Sequence, residues 1–262
     1  NGDGVATTPT PGGWRSIVIE GNGRLGMGYT NLRYGGGQAN FYATVALTGE
    51  STAILDHVSI TESSSRGIHV YLVGPTPETA SLTVTNSTIT NNGTYPYGPR
   101  SGIEIDGRED AIQLTVQNSV IANNGGYGLE ARQQPNSHEL KIENNTFEGN
   151  QRGAIGLLAM PRTLSLLNNV GSGAGNNRIE LYGTVASDLV LPANPGMTYQ
   201  VNLIISTGVT ATISPGAIIK VANGYSEVLV NGILLVQGTA ESPVTFTSIK
   251  DDSIGGDTNG DG

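Results

Sequence analysis

The sequence predicts an all-β solenoid, in which short strands are wound into stacked coils. Four stretches of the chain superimpose, with starts at residues 82, 114, 140 and 164. They read LTVTNSTI (82–89), LTVQNSVI (114–121), LKIENNTF (140–147) and LSLLNNV (164–170). Intervals of this length are typical of solenoid repeats. Apolar and polar residues alternate within each stretch, as in half-buried strands, and none shows the 3.6-residue spacing of an amphipathic helix.

A second short strand follows each copy. These strands are GIEI (102–105), GLEA (128–131), AIGL (154–157) and RIEL (178–181), and GIHV (67–70) is an earlier strand of the same kind. Glycine or asparagine lies between the strands, where a tight corner needs left-handed backbone. Weaker copies precede them at 25–32 and 53–60, and short strands separated by Gly, Pro and Asn continue in the C-terminal third. We therefore predict helix content close to nil.

The repeats run through the chain without a recognisable linker. We predict one continuous domain over residues 1–262, with a body of roughly 9–10 coils at 14–247 and junction segments at 1–13 and 248–262.

Stacking the copies aligns asparagines in two columns. One column contains Asn86, Asn118, Asn144 and Asn168, and the other contains Asn92, Asn124 and Asn150. An amide in such a column donates to one neighbour and accepts from the other, as in the asparagine ladders of stacked parallel strands. We expect both columns to point inward and to satisfy buried turn amides. For that reason we discount the glycosylation acceptor patterns at 86–88, 92–94 and 144–146.

These coils, their Gly-Ile strands and the asparagine columns resemble the right-handed parallel β-helix proteins across most of residues 14–247. ISPGAIIKV (213–221) and the segment after it, together with TPTPGGWRSIVIEG (8–21) and LRYGGG (32–37), are similar to the tandem unit of large secreted bacterial β-helix proteins. In that family the Asp-rich segment directly precedes the Pro-Gly-Trp segment, whereas here they lie at opposite ends. The resemblance implies an extracellular, surface-exposed protein.

The tetrapeptide NGDG occurs at both 1–4 and 259–262. Overlaying the two copies gives a period of 258 residues (259−1) and restores the order of that family without a gap. The segments 244–246 and 17–19 would then be two strands of one coil, joined by a long loop. We interpret the chain as one unit of a head-to-tail array of copies of itself, in a filament or adhesin stalk. Chance repetition of common turn residues is the alternative.

The junction loop carries a candidate calcium site. Its oxygen ligands recur at alternate positions beside a glycine, as in the first half of a calcium-binding loop. The candidate ligands are Asp251, Asp252, Asp257, Asn259 and Asp261, with Asn1 and Asp3 as the equivalents at the other end. The closing acidic residue of an EF-hand is missing, so the loop more resembles the short calcium loops of extracellular repeat proteins. A solvated acidic turn is the alternative.

The second strands place a column of polar side chains on one outward face. The column contains His69, Glu104, Glu130 and Glu180, interrupted by Gly156. Coils lie about 4.8 Å apart, so Glu104 and Glu130 could reach the separation used by retaining glycosidases. A carbohydrate-binding or polysaccharide-cleaving protein is therefore the alternative function.

We expect instead a solvated column in which Asp106 and Arg132 form a surface salt bridge. The Asp-Asp, Gly-His-Gly and Arg-x-Lys signatures of the β-helix pectinases are not assembled in this sequence, so no catalytic residue is assigned.

A loop between residues 89 and 103 is six residues longer than its counterparts, with a spacing of 14 against 8. It carries Tyr95, Tyr97 and Arg100, with Pro96 and Pro99 beside the tyrosines. We expect these tyrosines to stack on sugar rings, to pack against a neighbouring unit, or to pack on the loop itself.

Composition excludes several classes of function. A net charge of −9 argues against nucleic-acid binding, because phosphates would be repelled. The absence of cysteine excludes disulfides and thiolate metal sites. No apolar run is long enough to span a bilayer. The chain reads as a mature or excised segment, with any targeting signal elsewhere.

Overall fold

The computed structural model describes residues 8–37, 43–72, 78–93, 100–107, 111–132, 138–173, 176–222 and 226–259. These residues form 24 strands and no helix, as predicted. The strands are β1 (Ile17–Ile19), β2 (Arg24–Arg33), β3 (Ala43–Leu47), β4 (Thr52–Thr61), β5 (Arg66–Leu72), β6 (Thr79–Thr85), β7 (Thr88–Thr90), β8 (Ile103–Gly107), β9 (Ala111–Gln117), β10 (Val120–Ala122), β11 (Tyr127–Arg132), β12 (Glu139–Glu143), β13 (Thr146–Glu148), β14 (Gly153–Leu157), β15 (Thr163–Ser165), β16 (Val170–Ser172), β17 (Arg178–Val185), β18 (Leu189–Leu191), β19 (Thr198–Ile205), β20 (Thr210–Ile213), β21 (Ile218–Val221), β22 (Val228–Val230), β23 (Ile233–Val236) and β24 (Thr245–Ser248).

The strands form three parallel sheets along one axis. The first sheet has the order β1-β3-β5-β8-β11-β14-β17-β19-β21-β24, with β22 paired to β19. The second has the order β15-β12-β9-β6-β4-β7-β10-β13-β16, with β2 paired to β4, and the third is β18-β20-β23. This confirms the predicted parallel β-helix. It has about 8 coils, somewhat fewer than the 9–10 predicted.

The strand register aligns the repeated stretches residue by residue. Leu82, Leu114, Leu140 and Leu164 are successive partners in the second sheet. The first three of them are buried in one continuous apolar core that extends from Ile19 to Ile219. The period read from the sequence is therefore the coil length of the fold.

The first corner of each coil carries a column of residues in left-handed conformation. The φ angle lies between 49° and 57° at Tyr29, His57, Asn86, Asn118, Asn144 and Asn168. The asparagines of this column are exposed, so their predicted inward orientation is wrong. The left-handed residue turns the chain so that the next residue points inward instead. Burial therefore no longer argues against the acceptor patterns at Asn86 and Asn144.

The inward residues of the first corner form a hydrogen-bond ladder one position later than predicted. The backbone amide of Ser119 donates to Asn145 Oδ1 at 3.0 Å, and that of Asn145 donates to Asn169 Oδ1 at 3.1 Å. The amide of Asn169 donates to Asn194 Oδ1 at 2.9 Å. The ladder satisfies turn amides that the core removes from water.

The second corner carries the other predicted column, and here the inward prediction is right. Asn92, Asn124 and Asn150 are buried. The amide of Asn92 donates to Asn124 Oδ1 and the amide of Asn124 to Asn150 Oδ1, both at 3.1 Å. Asn124 Nδ2 also donates to the carbonyl of Ile89 at 3.0 Å. The same Nδ2 donates to Asn150 Oδ1 at 2.9 Å, so Asn124 ties three consecutive coils together.

The two ends of the first sheet correct the predicted junction. Strands β1 and β24 lie at opposite ends of this one sheet. Hence 17–19 and 244–246 occupy the same side of the cross-section. They cannot be two different strands of one coil. In an array they would belong to successive coils.

Candidate functional site

A row of polar side chains follows the outer face of the first sheet. The register joins His69, Glu104, Glu130, Gly156, Glu180, Gln200 and Lys220 in that order, which we call the polar row. The predicted column is therefore correct in register. It is wrong in exposure, because Glu104 and Glu130 are 0% and 2% exposed. Alternation along a strand predicts which face a side chain is on, but not whether that face is covered.

The N-terminal part of the polar row is a buried ion-pair network. Arg66 Nη2 donates to Glu104 Oε1 at 2.6 Å. Arg132 holds Glu130 through two hydrogen bonds of 2.8 and 3.1 Å and lies 3.7 Å from Glu104 Oε1. Ser101 Oγ donates to Glu130 Oε2 at 2.6 Å. Two carboxylates thus share one guanidinium, and each has a further donor.

Arg132 was predicted to pair with Asp106, whose charge does act on it, but its ion pairs are with the row carboxylates. Asp106 is the register partner of Arg132, as expected. The ion pairs that Arg132 makes are with Glu130 and Glu104. The reason is geometric, because residues two apart on a strand lie on the same face, which brings Arg132 over Glu130.

The charges in this network control the ionisation of Glu104. Burial acts to raise the pKa of its carboxyl, and the hydrogen bond and charge of Arg66 act to lower it. With the charges of His69 and Arg132, they hold the pKa below its usual value. Burial also acts to lower the pKa of Arg132, but the hydrogen bond to Glu130 and the nearby carboxylates raise it. Both groups are therefore charged at neutral pH.

This geometry does not suit a glycosidase acid pair. The general acid of such a pair needs a raised pKa and contact with the substrate. Glu104 has a lowered pKa, and both carboxylates are buried. Their contacts instead fit a structural role that holds adjacent coils together.

Gly156 interrupts the polar row because an aromatic ring occupies its place. A Cβ atom on Gly156 would lie 2.9 Å from ring atoms of Tyr127. Burial raises the pKa of the Tyr127 hydroxyl, and the charge of Glu180 and a hydrogen bond to it add to the effect. The ring of Tyr127 thus fills the space that a side chain at Gly156 would occupy, between Glu130 and Glu180 in the polar row.

The C-terminal part of the polar row holds the acidic terminal segment. Lys220 Nζ donates to the carbonyl oxygens of Asp251 at 2.8 Å and of Gly256 at 2.7 Å. Arg178 pairs with Glu180 and also donates to the carbonyl of Thr258 at 2.7 Å. Lys220 and Arg178 were not singled out from the sequence. A lone lysine in the apolar stretch AIIKV was the available signal.

The predicted calcium ligands are only partly brought together. Asp251 accepts hydrogen bonds from Ser253 and Thr247, which lower the pKa of its carboxyl. Asp252 is exposed, and Asp257 Oδ1 accepts the amide of Asn259 at 3.2 Å. Within the described ranges no three acidic or histidine side chains form a metal-binding group. Asn1, Asp3 and Asp261 lie outside the described residues.

A shallow polar groove of about 500 Å³ lies on the second sheet. It crosses β6, β9, β12 and β15, and its lining includes Gln113, Thr115, Glu139, Lys141 and Ser165. Hydroxyl, amide and charged groups therefore recur on successive coils. Tyr95 and Tyr97, the predicted sugar-stacking residues, lie outside the described residues.

The last coil exposes side chains that face the core. Val230, Val236 and Phe246 are 43%, 48% and 47% exposed. They are the register partners of Ile205, Ile213 and Ile219, which are 1%, 3% and 0% exposed. The same inward position thus changes from buried to half-exposed within one coil. The apolar repeat predicts these positions, but their exposure depends on whether a further coil covers them.

Comparison with known proteins identifies a family but no individual relative. The family model for a right-handed β-helix region matches residues 13–187 and 76–240. No curated protein and no solved structure matches. In the part of the chain that the structure describes, no helix has the length and apolar character needed to cross a membrane.

Proposed function

Because the chain belongs to the right-handed β-helix family, whose coils stack along one axis, we propose that it is a structural unit that continues head to tail with copies of itself. Such an array forms a filament or adhesin stalk outside the cell. The observation that carries this proposal is the half-exposed core at the last coil. Side chains that face the core need a further coil to leave water, and burying them stabilises the junction.

A second copy is the occupant that the sequence favours. Strand edges at both ends of the solenoid offer backbone groups for pairing. With the 258-residue period, the next copy of Ile17 follows Thr245 after 30 residues (17+258−245). Successive strands of the first sheet start 20 to 37 residues apart. The connection thus has the length of one ordinary coil, which suits strand addition in register.

Calcium is the proposed cation of the complete junction. Asp252 and Asp257 of the terminal segment are exposed. With Asn259 and Asp261 they supply hard oxygen ligands of the kind that calcium prefers. Calcium bound there would reduce repulsion between the carboxylates and order the glycine-rich link to the next unit.

The stacking proposal is tested with a protein of two copies that share a single NGDG. Electron microscopy should show one straight rod, with about 40 to 50 Å of length per unit at about 4.8 Å per coil. Phe246→Lys in the first copy should break the rod at the junction, since it places a charge in the new core. Ile54→Lys is the matched control, because Ile54 is 53% exposed on the flank. Two bodies joined at variable angles without any substitution would refute the proposal.

The calcium role is tested on the same two-copy protein. Chelation should increase protease cleavage in the link between Asn259 of the first copy and Pro11 of the second, while the β-rich circular dichroism is kept. Asp257→Asn should reproduce this effect, and Glu241→Gln, which removes one exposed charge elsewhere, should not. Equal cleavage with and without chelator would exclude a calcium role.

Carbohydrate binding is the second candidate function, and the groove on the second sheet favours it. Groups that bond sugar hydroxyls recur along the axis on successive coils, a spacing that suits an extended glycan. A screen of acidic and neutral polysaccharides should find binding that is lost in the Gln113→Ala, Thr115→Ala double variant. Thr90→Ala, on the same sheet outside the groove, is the control. Assaying new reducing ends in the same screen tests for cleavage, and no binding to any glycan would exclude this function.

A further inference from the structure

The segment that follows the last strand turns back over the sheet it has just left. Residues 249–259, which we call the strap, lie against the outer face of the first sheet. Asp251 and Gly256 contact Lys220 on β21, and Thr258 contacts Arg178 on β17. Strand β19 lies between those two strands. The strap therefore runs opposite to the direction in which the coils advance, across three neighbouring strands.

The strap is held through its backbone. Lys220 is only 1% exposed, and its ammonium donates to two strap carbonyls. A buried ammonium needs such acceptors to offset the loss of its hydration. Arg178 adds a third carbonyl contact farther along the strap. The contacts that Lys220 and Arg178 make with the strap are thus directed at its carbonyl oxygens.

The two carbonyls on Lys220 are the type of ligand that a calcium loop uses. Calcium binds carbonyl oxygens at about 2.3–2.6 Å, and the ammonium lies at 2.7–2.8 Å from these oxygens. The Asp251 carboxylate, a predicted calcium ligand, instead accepts from Ser253 and Thr247. We propose that Lys220 is the strap's own cation and that the strap docks on the sheet without a metal ion.

Close packing supports this dock independently of the charges. Gly255 and Gly256 both have left-handed φ angles, of 70° and 72°. A Cβ atom on Gly255 would lie 2.4 Å from Thr198 Cγ2, whereas a Cβ atom on Gly256 would meet nothing within 4 Å. One glycine thus faces the sheet closely and the other faces open space. The two positions form a natural matched pair.

The dock fixes where the chain leaves each unit. The strap ends over β17, so a continuing chain must return past β19, β21 and β24 to start another coil. That path is on the order of 20 Å at about 4.8 Å per strand. The 15 residues between Asn259 and the next Ile17 (17+258−259−1) are ample to span it. In an array, the strap and the segment that returns from it would both lie across the last strands of the unit, next to the junction. The dock itself is a property of the single chain.

The test measures hydrogen exchange of the 249–259 amides in the 262-residue chain. Lys220→Met keeps the length of the side chain but removes the ammonium, so exchange in the strap should rise about tenfold or more. Lys250→Met removes one charge from an exposed residue of the strap itself and should leave the exchange of the other strap amides unchanged. Protection of β17 and β19 in each variant shows that the coils remain folded.

Gly255→Ala and Gly256→Ala give a test that leaves Lys220 intact. Both place a Cβ on a left-handed residue, so their backbone strain is similar. Only Gly255→Ala should also release the strap, because only that Cβ collides with the sheet. Exchange in the wild-type strap should be the same in excess EDTA and in calcium. Release by EDTA would show that a metal holds the strap and would overturn the proposal, as would a strap unchanged by Lys220→Met. Either result leaves the stacking of units to its own test.

Discussion

The interior coils and the last coil have the same register but opposite exposure of their inward side chains. Ile219 is completely buried, and Phe246, its partner one coil later, is about half exposed. The difference lies in the missing neighbour and not in the residue type, since both side chains are large and apolar. The last coil therefore behaves as an interior coil that lacks the next one.

The interior coils are also covered on the outer face of the first sheet, where the side chains of the polar row are buried. The largest loss of stability should come from removing the charge of Arg66, which pairs with that row. Arg66→Met should lower the free energy of unfolding by about 3–5 kcal/mol, because it leaves the buried Glu104 carboxylate without its closest cation. Denaturant unfolding provides the measurement. Arg33→Met breaks an exposed pair with Glu62 and should cost less than about 1 kcal/mol. Equal losses of stability in Arg66→Met and Arg33→Met would mean that the polar row is not buried.

Truncating the two partners of one register pair tests the comparison of coils directly. Ile219→Ala should cost about 2–5 kcal/mol, because it leaves a cavity in a packed core. Phe246→Ala should cost about 1 kcal/mol or less in the single chain, because much of that ring already contacts water. In the first copy of a protein of two joined copies, Phe246→Ala should cost about as much as Ile219→Ala, because the next coil covers the ring. A large loss of stability for Phe246→Ala in the single chain would contradict the half-exposed position of this ring.

The two asparagine columns give a smaller contrast. Asn124→Ala should cost about 1–3 kcal/mol, since the buried amide of Asn92 and the carbonyl of Ile89 lose their partner. Asn118→Gly should change stability by no more than about 0.5 kcal/mol, because glycine tolerates its φ of 52°. Thermal unfolding of both variants checks this. A large loss of stability in Asn118→Gly would indicate that the exposed asparagines also form a stabilising hydrogen-bond ladder between coils.

The smallest expected effect is on how stability changes with pH on the acid side. The pKa of Glu104 is lower in the folded chain than in the unfolded one, so its ionisation contributes stability above about pH 4. That contribution is lost as the pH falls through the lowered folded-state value. Glu104→Gln should therefore flatten the acid side of a stability curve measured by denaturant unfolding. Ser16→Ala, which leaves the polar row untouched, should preserve the slope. An unchanged slope in Glu104→Gln would show that Glu104 is not ion-paired.

The sequence predicted what repeats and missed what depends on contacts between distant segments. The leucine positions and the alignment of Glu104 with Glu130 follow from period and alternation alone. The inward ladder was placed one residue early at Asn144, because the left-handed corner is set by backbone geometry that residue type does not reveal. The role of Lys220 depends on a segment that begins 31 residues later in the chain, at Asp251. The burial of Glu104 depends on contacts with Arg66, 38 residues earlier.

The central claim is that another copy completes the last coil. Hydrogen exchange of the β24 amides, compared between the single chain and a two-copy protein joined through one shared NGDG, tests it most directly. In the single chain β24 is the last strand on the path of the first sheet. In the first copy of the joined protein, β24 should gain a partner strand and exchange about a hundredfold more slowly. Identical exchange of β24 in the two proteins would contradict the account.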